Sequence, residues 1–138
     1  MQQIYDHYDG LFTEDAILGT PQVEGDRLLI PAKGLVIQWN HPLRAQTQKP
    51  IIGTLIFEGV VSSTRTVTGY IGDPQQPTGF KTPRQETDGP FAPPAPPATP
   101  VPASEIRKFK LEAAFDHPPA EVEWVIKARR FMLQVENL

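Results

Sequence analysis

The prolines of this chain are unevenly distributed, and this limits what the chain can fold into. Eight of its 16 prolines lie between Pro83 and Pro102. Each proline fixes φ and lacks a backbone N–H donor, so this segment is unsuited to a helix or to an inner strand of a sheet. We expect a polyproline II or loop excursion at about residues 82–104. A docking motif is the alternative, but proline-rich composition more often marks a spacer.

The whole chain, residues 1–138, is predicted to form one domain with this loop or linker inserted between strands. Its 138 residues lie in the size range of a single hydrophobic core. The part after Ser104 has only about 35 residues, and a two-stranded ribbon is marginal alone. It must therefore pack on the strands that precede Thr82.

Short strands separated by turns are predicted in the first half. A hairpin is expected around the turn residues 24–26, where Gly25 accepts positive φ. Pro31 and Gly34 in its second arm indicate a bulge or a sheet edge. Residues 53–61 have the strongest strand pattern of this half, and residues 62–71 are rich in threonine and valine. Helical periodicity is poor.

The last third has two interpretations. Apolar residues alternate with charged residues from Lys108 to Phe115, which is typical of a half-buried strand. Residues 119–134 fit either a helix or a second strand whose phase changes near Arg129 and Arg130. The density of aromatic and β-branched residues favours the strand. We therefore predict an all-β fold, a single antiparallel β-sandwich or curled sheet ending in a long C-terminal hairpin, with an α+β fold as the alternative.

The charge and residue types exclude several functions. A net charge of −3 with scattered basic residues argues against a nucleic-acid-coating protein. The absence of cysteine excludes disulfides, thiolate zinc sites and cysteine nucleophiles. No apolar run approaches the roughly 20 residues that cross a membrane, and the start has no signal-peptide pattern. A cytoplasmic location without membrane contact is the simplest expectation.

The N-terminal segment concentrates acidic and imidazole side chains, at Asp6, His7, Asp9, Glu14 and Asp15. Such groups can bind a metal or act as acid and base, although their spacing does not match a calcium loop. They can also form an acidic surface complementary to a basic partner. His41 and His117 each precede a proline and are predicted to lie in turns. No hydrolase elbow or phosphate loop is present, so no catalytic residue, cofactor or metal ligand is predicted.

The two tryptophans could serve as ligand-stacking residues or as interface anchors. Trp39 and Trp124 each lie in a strand-like run of the sequence. We therefore expect both to be in the core or half-buried.

Three segments together resemble small bacterial β-rich proteins, some of which are similar to immunity proteins of polymorphic toxin systems. They are Phe12-Thr-Glu-Asp-Ala-Ile, Gly53-Thr-Leu-Ile-Phe-Glu-Gly-Val and Pro118-Pro-Ala-Glu-Val-Glu-Trp-Val-Ile-Lys-Ala-Arg. The resemblance implies a non-enzymatic protein that binds a partner; for an immunity protein, that partner is a cognate toxin, which is neutralised by covering its active site. The candidate partner-binding residues are Tyr5, Asp6, Tyr8, Asp9, Glu14 and Asp15. Two alternatives stay open: an enzyme using the Asp/His cluster, and an assembly subunit that pairs through exposed strand edges.

Overall fold

The structure is a computed structural model that describes residues 2–47, 49–73, 75–91, 106–116 and 119–136. Strands make up 66% of it, and the described residues contain no helix of seven residues or more. Two short 3₁₀ helices lie at Tyr8–Gly10 and Pro42–Ala45. The prediction of an all-β fold is confirmed. The alternative of a C-terminal helix is wrong, because that segment is extended.

The residues that the structure describes form twelve strands. They are β1 (Gln2–Tyr5), β2 (Leu11–Phe12), β3 (Ile17–Leu18), β4 (Gln22–Glu24), β5 (Arg27–Ile37), β6 (Ile51–Glu58), β7 (Ser62–Asp73), β8 (Gln76–Phe80), β9 (Arg84–Thr87), β10 (Arg107–Asp116), β11 (Pro119–Ala128) and β12 (Arg130–Val135).

One open mixed sheet contains these strands, in the order β1-β12-β6-β5-β3-β10-β11-β7-β8. Strands β2 and β4 also pair with β5, and β9 pairs with β7. The β3–β10 pair, at Ile17 and Ala114, is parallel, and the other pairs are antiparallel. Phe57 of β6 contacts Phe109 of β10, at 5.2 Å between ring centroids. Because β5 and β3 separate these strands in the sheet, the sheet must curl so that both halves share one core.

The hairpin predicted around residues 24–26 is confirmed. Its second arm, β5, is continuous over 11 residues, whereas its first arm is broken into β2, β3 and β4. The expected bulge in the second arm is present, as a register shift between Lys33 and Leu35. Gly34 takes φ +80 there, a left-handed value that favours glycine. The bulge lets β5 bend around the core.

The C-terminal hairpin is also confirmed. Strands β10 and β11 pair without interruption from Arg107 with Ala128 to Asp116 with Pro119. The chain then bends at Arg129, whose N–H donates to the carbonyl of Glu58. Alternate residues of β11 are buried before the bend, and the buried phase is shifted after it, as predicted. The bend moves the chain from the β10 half of the sheet to the β6 half.

The predicted loop at residues 82–104 is wrong for its first part. Residues Arg84–Thr87 form β9, which pairs with β7 from Val67 to Thr64. Arg65 of β7 binds Glu86 in a salt bridge of 2.7 Å, which adds side-chain contacts to the backbone pairing. Residues 92–105 lie outside the described residues.

Candidate functional site

Tyr5 and Asp6, two of the predicted partner-binding residues, contact arginines of this chain. The guanidinium of Arg130 lies over the Tyr5 ring, 3.8 Å from Cζ to the ring centroid. Asp6 Oδ1 accepts a hydrogen bond of 3.2 Å from Arg107 Nη2. At exposed positions such contacts contribute at most about 1 kcal/mol each. They link the end of β1 to the beginnings of β12 and β10.

Tyr8, a third predicted partner-binding residue, is partly buried and packs against the hydrophobic core. Its ring meets three phenylalanines edge-on, Phe57 at 6.0 Å, Phe109 at 5.2 Å and Phe131 at 5.0 Å between centroids. Its hydroxyl donates a hydrogen bond to the backbone carbonyl of Lys110. Burial, followed by the negative charge of Glu112, raises the pKa of Tyr8. The hydroxyl therefore remains a donor.

His41 is buried beside the first 3₁₀ helix, with 3% of its surface exposed. Its Nδ1 accepts a hydrogen bond of 3.1 Å from the backbone N–H of Leu43, and its ring lies 5.9 Å from that of His7. Burial and then the His7 imidazole lower the pKa of His41, while the carboxylate of Asp9 opposes them. The described part of the chain holds no group of three or more His, Cys, Asp or Glu residues that could bind a metal. His117 lies outside the described residues.

Glu14 lies in a segment between β2 and β3 that is fixed against β10. Thr13 Oγ1 donates a hydrogen bond of 2.9 Å to the carbonyl of Glu112. At Ala16, further along the same segment, the backbone carbonyl accepts a hydrogen bond of 3.1 Å from the N–H of Ala114. These two bonds hold the exposed side chain of Glu14 beside the outer face of β10.

A cleft of about 280 Å³ opens at this point, and we name it the acidic cleft. It is lined by Glu14, Tyr70, Glu112, Ala113, Ala114, Glu121, Val122 and Glu123. Glu112 and Glu123 are direct cross-strand partners, and Glu121 faces Ala114. The small side chain of Ala114 leaves the space that larger residues would fill. Like charges directly opposite each other destabilise a strand pair, so this arrangement reduces stability.

Among the described residues, no salt bridge involves the four glutamates of the acidic cleft. Lys110 lines an adjacent pocket together with Glu112 and Glu123 but is not ion-paired with either. Tyr70, at the far side of the cleft, has a pKa raised first by burial and then by the charge of Glu121. The cleft therefore presents four carboxylates outside the salt bridges of the described residues, together with one protonated phenol.

The six predicted partner-binding residues lie in different elements. Tyr5 and Asp6 lie at the end of β1, Tyr8 packs against the core, and Asp9 belongs to the first 3₁₀ helix. Glu14 lines the acidic cleft, and Asp15 is exposed beside it. Sequence reasoning missed the three glutamates of β10 and β11. The alternation that predicted these strands already placed them on the outer face, but it does not contain the register between β10 and β11 that brings them together.

The two tryptophans differ from each other in burial. Trp124 is 1% exposed, which agrees with the expected core position. Trp39 is 85% exposed, so the expectation is wrong for this residue. It lies just after the end of β5, where the chain leaves the sheet and the strand-like alternation no longer reflects packing.

Comparisons with known protein families, with curated proteins and with solved structures found no match to this chain. Among the described residues there is no helix with the length and apolar character needed to cross a membrane.

Proposed function

We propose that this protein is a non-enzymatic protein-binding module whose acidic cleft docks a basic surface of a partner. The supporting observation is a set of four glutamates that form no salt bridge with the described residues and are carried on three neighbouring backbone segments. Hydrogen bonds fix the backbone positions that carry these glutamates before a partner arrives. Such preorganisation limits the ordering cost of binding.

A basic partner fits the charge of the cleft. Lysine and arginine side chains would supply the missing counter-ions and relieve the repulsion between Glu112 and Glu123. Charges of this kind raise the association rate and fix the orientation of the complex. Stability given up in the free protein is regained in the complex, which gives a physical reason for an otherwise unfavourable strand pairing.

The more specific form of the proposal is an immunity protein of a bacterial toxin system. It rests on the resemblance of the three sequence segments, together with the acidic cleft. Toxins that act on nucleic acids bind phosphates through basic clefts. An acidic protein that covers such a cleft would block access of the substrate.

Affinity capture tests the proposed function. The wild-type protein, a Glu121→Gln/Glu123→Gln variant and a matched Glu24→Gln/Glu136→Gln variant are each immobilised and exposed to lysate of the source organism. Both variants remove two exposed charges, but only the first alters the cleft. We expect the wild type and the matched variant each to capture a basic protein in stoichiometric amount. The cleft variant should capture at least tenfold less of it, and high salt should release it.

Two further results bear on the proposal. Equal capture by all three proteins would contradict a role for the acidic cleft. For the immunity protein, expression of the captured partner alone should stop growth, and co-expression of the wild type should restore it. A partner without any such effect would contradict the immunity function while leaving protein binding intact.

A further inference from the structure

The distal part of β7 leaves the main sheet together with β8. Strand β11 pairs with β7 only as far as Ala120 with Gly69. Beyond that point Tyr70–Asp73 pairs with β8 alone, which makes a two-stranded ribbon. A ribbon of this kind buries little apolar surface by itself.

Large apolar side chains are nonetheless present on the ribbon. Phe80 is 53% exposed on the face that it shares with Tyr70, and Ile71 is 48% exposed on the opposite face. The rings of Tyr70 and Phe80 contact each other, with 5.7 Å between centroids. These two rings form a small aromatic patch on one face of the ribbon.

Tyr70 connects the ribbon to the acidic cleft. The same ring that packs on Phe80 also lines the cleft beside Glu121. The carboxylates and the apolar ribbon face are therefore parts of one continuous surface. Aromatic side chains next to a charged rim are typical of interface hot spots.

We propose that the acidic cleft and the ribbon residues Tyr70 and Phe80 form a two-part docking surface for a basic protein segment that carries an apolar side chain. This inference rests on the proposed function and adds a second requirement, that the partner segment carry an apolar side chain. Lysine or arginine side chains of the segment enter the cleft, and its apolar side chain covers Phe80.

Charge complementarity identifies this occupant. Four glutamates line one part of the surface, beside Tyr70. Lys81 does not neutralise them, because its Cδ lies 3.2 Å from the position of a Cβ on Gly69. Neighbouring residues of a strand point to opposite faces, so Lys81 lies on the face away from Tyr70. An acidic or a purely apolar segment would leave the carboxylates without counter-ions.

Synthetic peptides provide the probes. One alternates lysine with leucine, a second alternates lysine with serine at the same net charge, and a third alternates glutamate with leucine. Binding to the full-length protein is measured by fluorescence anisotropy at several salt concentrations. We expect the lysine–leucine peptide to bind about tenfold more tightly than the lysine–serine peptide, and the glutamate–leucine peptide not to bind. Equal affinity for the two lysine peptides would overturn the inference.

Variants separate the inference from the proposed function. Phe80→Ser should weaken binding of the lysine–leucine peptide about tenfold with an unchanged salt dependence. Trp39→Ser, which removes a still more exposed aromatic ring elsewhere, should have no effect. Glu121→Gln/Glu123→Gln should weaken the binding of both lysine peptides and make their affinities less dependent on salt. If only the glutamate variant loses affinity, the inference fails and the proposed function stands. If only Phe80→Ser loses affinity, the acidic cleft has no binding role and the proposed function fails.

Light scattering of the free protein tests the competing occupant, a second copy of this chain. Dimerisation that is lost in Phe80→Ser would assign the ribbon to self-association and overturn the inference. A monomer at all concentrations supports it. Because Phe80 is exposed, its replacement should leave the melting temperature within a few degrees of the wild type, which shows that the variant folds.

Discussion

The indole N–H of Trp124 donates a hydrogen bond of 2.7 Å to the hydroxyl oxygen of Ser63, and both residues are buried. Ser63 in turn donates to Asp88 Oδ2 at 2.8 Å. Arg65 lies over the Trp124 ring at 4.7 Å and binds both oxygens of Asp88. A chain of polar contacts thus connects the largest core side chain to the segment that follows β9.

Replacing Ser63 with alanine should destabilise the protein by about 2 kcal/mol, because the buried indole N–H is left without an acceptor. Urea denaturation measures the change in the free energy of unfolding. Ser62, the exposed neighbour on the same strand, provides the control, and Ser62→Ala should change that free energy by less than about 0.5 kcal/mol. Equal losses in the two variants would show that the Ser63 hydroxyl has no special role.

Much of the fold could be predicted because the relevant signals are local. The alternation from Lys108 to Phe115 identifies a half-buried strand, and the change of phase near Arg129 identifies the bend between β11 and β12. Gly34 marks the bulge in β5. Each of these features depends on neighbouring residues in the chain, so the sequence pattern contains it.

The burial of Tyr8 could not be predicted, because it depends on contacts that are distant in sequence. Asp6 and His7 both adopt positive φ, 64° and 61°, an uncommon conformation for residues other than glycine. These two residues turn the chain from β1 into the interior. No glycine signals the turn, and an acidic and aromatic segment looks like a surface.

Strand β9 and the acidic cleft were missed for a related reason. β9 lies between prolines, and its pairing with β7 is supported by the ion pairs of Arg65, a residue about 20 positions earlier in the chain. The glutamates of the cleft occupy outward positions that the alternation predicts. Their convergence with Glu14 depends on the β3–β10 pairing, which no periodicity reveals.

Replacing Arg65 with methionine should cost about 3 kcal/mol of stability, because Asp88 would then be a nearly buried carboxylate without its cation. Chemical denaturation gives the free energy of unfolding. Arg84 is the matched control, since it also binds Glu86 but has a side chain that is 59% exposed. Arg84→Met should cost less than about 1 kcal/mol. Similar losses for the two arginines would contradict the importance of the buried pairs.

Stability should decrease as the pH falls below about 6.5, the ordinary pKa of histidine, because burial lowers the pKa of His41 in the folded state. The unfolded chain then binds a proton more readily than the folded chain, so protonation favours unfolding. The slope can reach about 1.4 kcal/mol per pH unit for one proton. Urea denaturation between pH 5 and pH 8 measures it.

His41→Asn should flatten this pH dependence, because asparagine can still accept the hydrogen bond from Leu43 but does not titrate in this range. His7→Asn is the control, since asparagine tolerates the left-handed backbone at that position. It should retain most of the slope. A His41→Asn protein with the wild-type pH dependence would mean that another group carries the effect.

Substitutions of Tyr8 distinguish a core residue from a partner-binding residue. Tyr8→Phe keeps the three edge-on ring contacts and removes the hydrogen bond to Lys110, so a loss of about 1 kcal/mol is expected. Tyr8→Ala also removes the ring, and about 3 to 4 kcal/mol should be lost. Tyr5→Ala, at an exposed ring, should cost less than about 1 kcal/mol. Urea denaturation compares the three variants, and a Tyr8→Ala protein as stable as Tyr5→Ala would place Tyr8 outside the core.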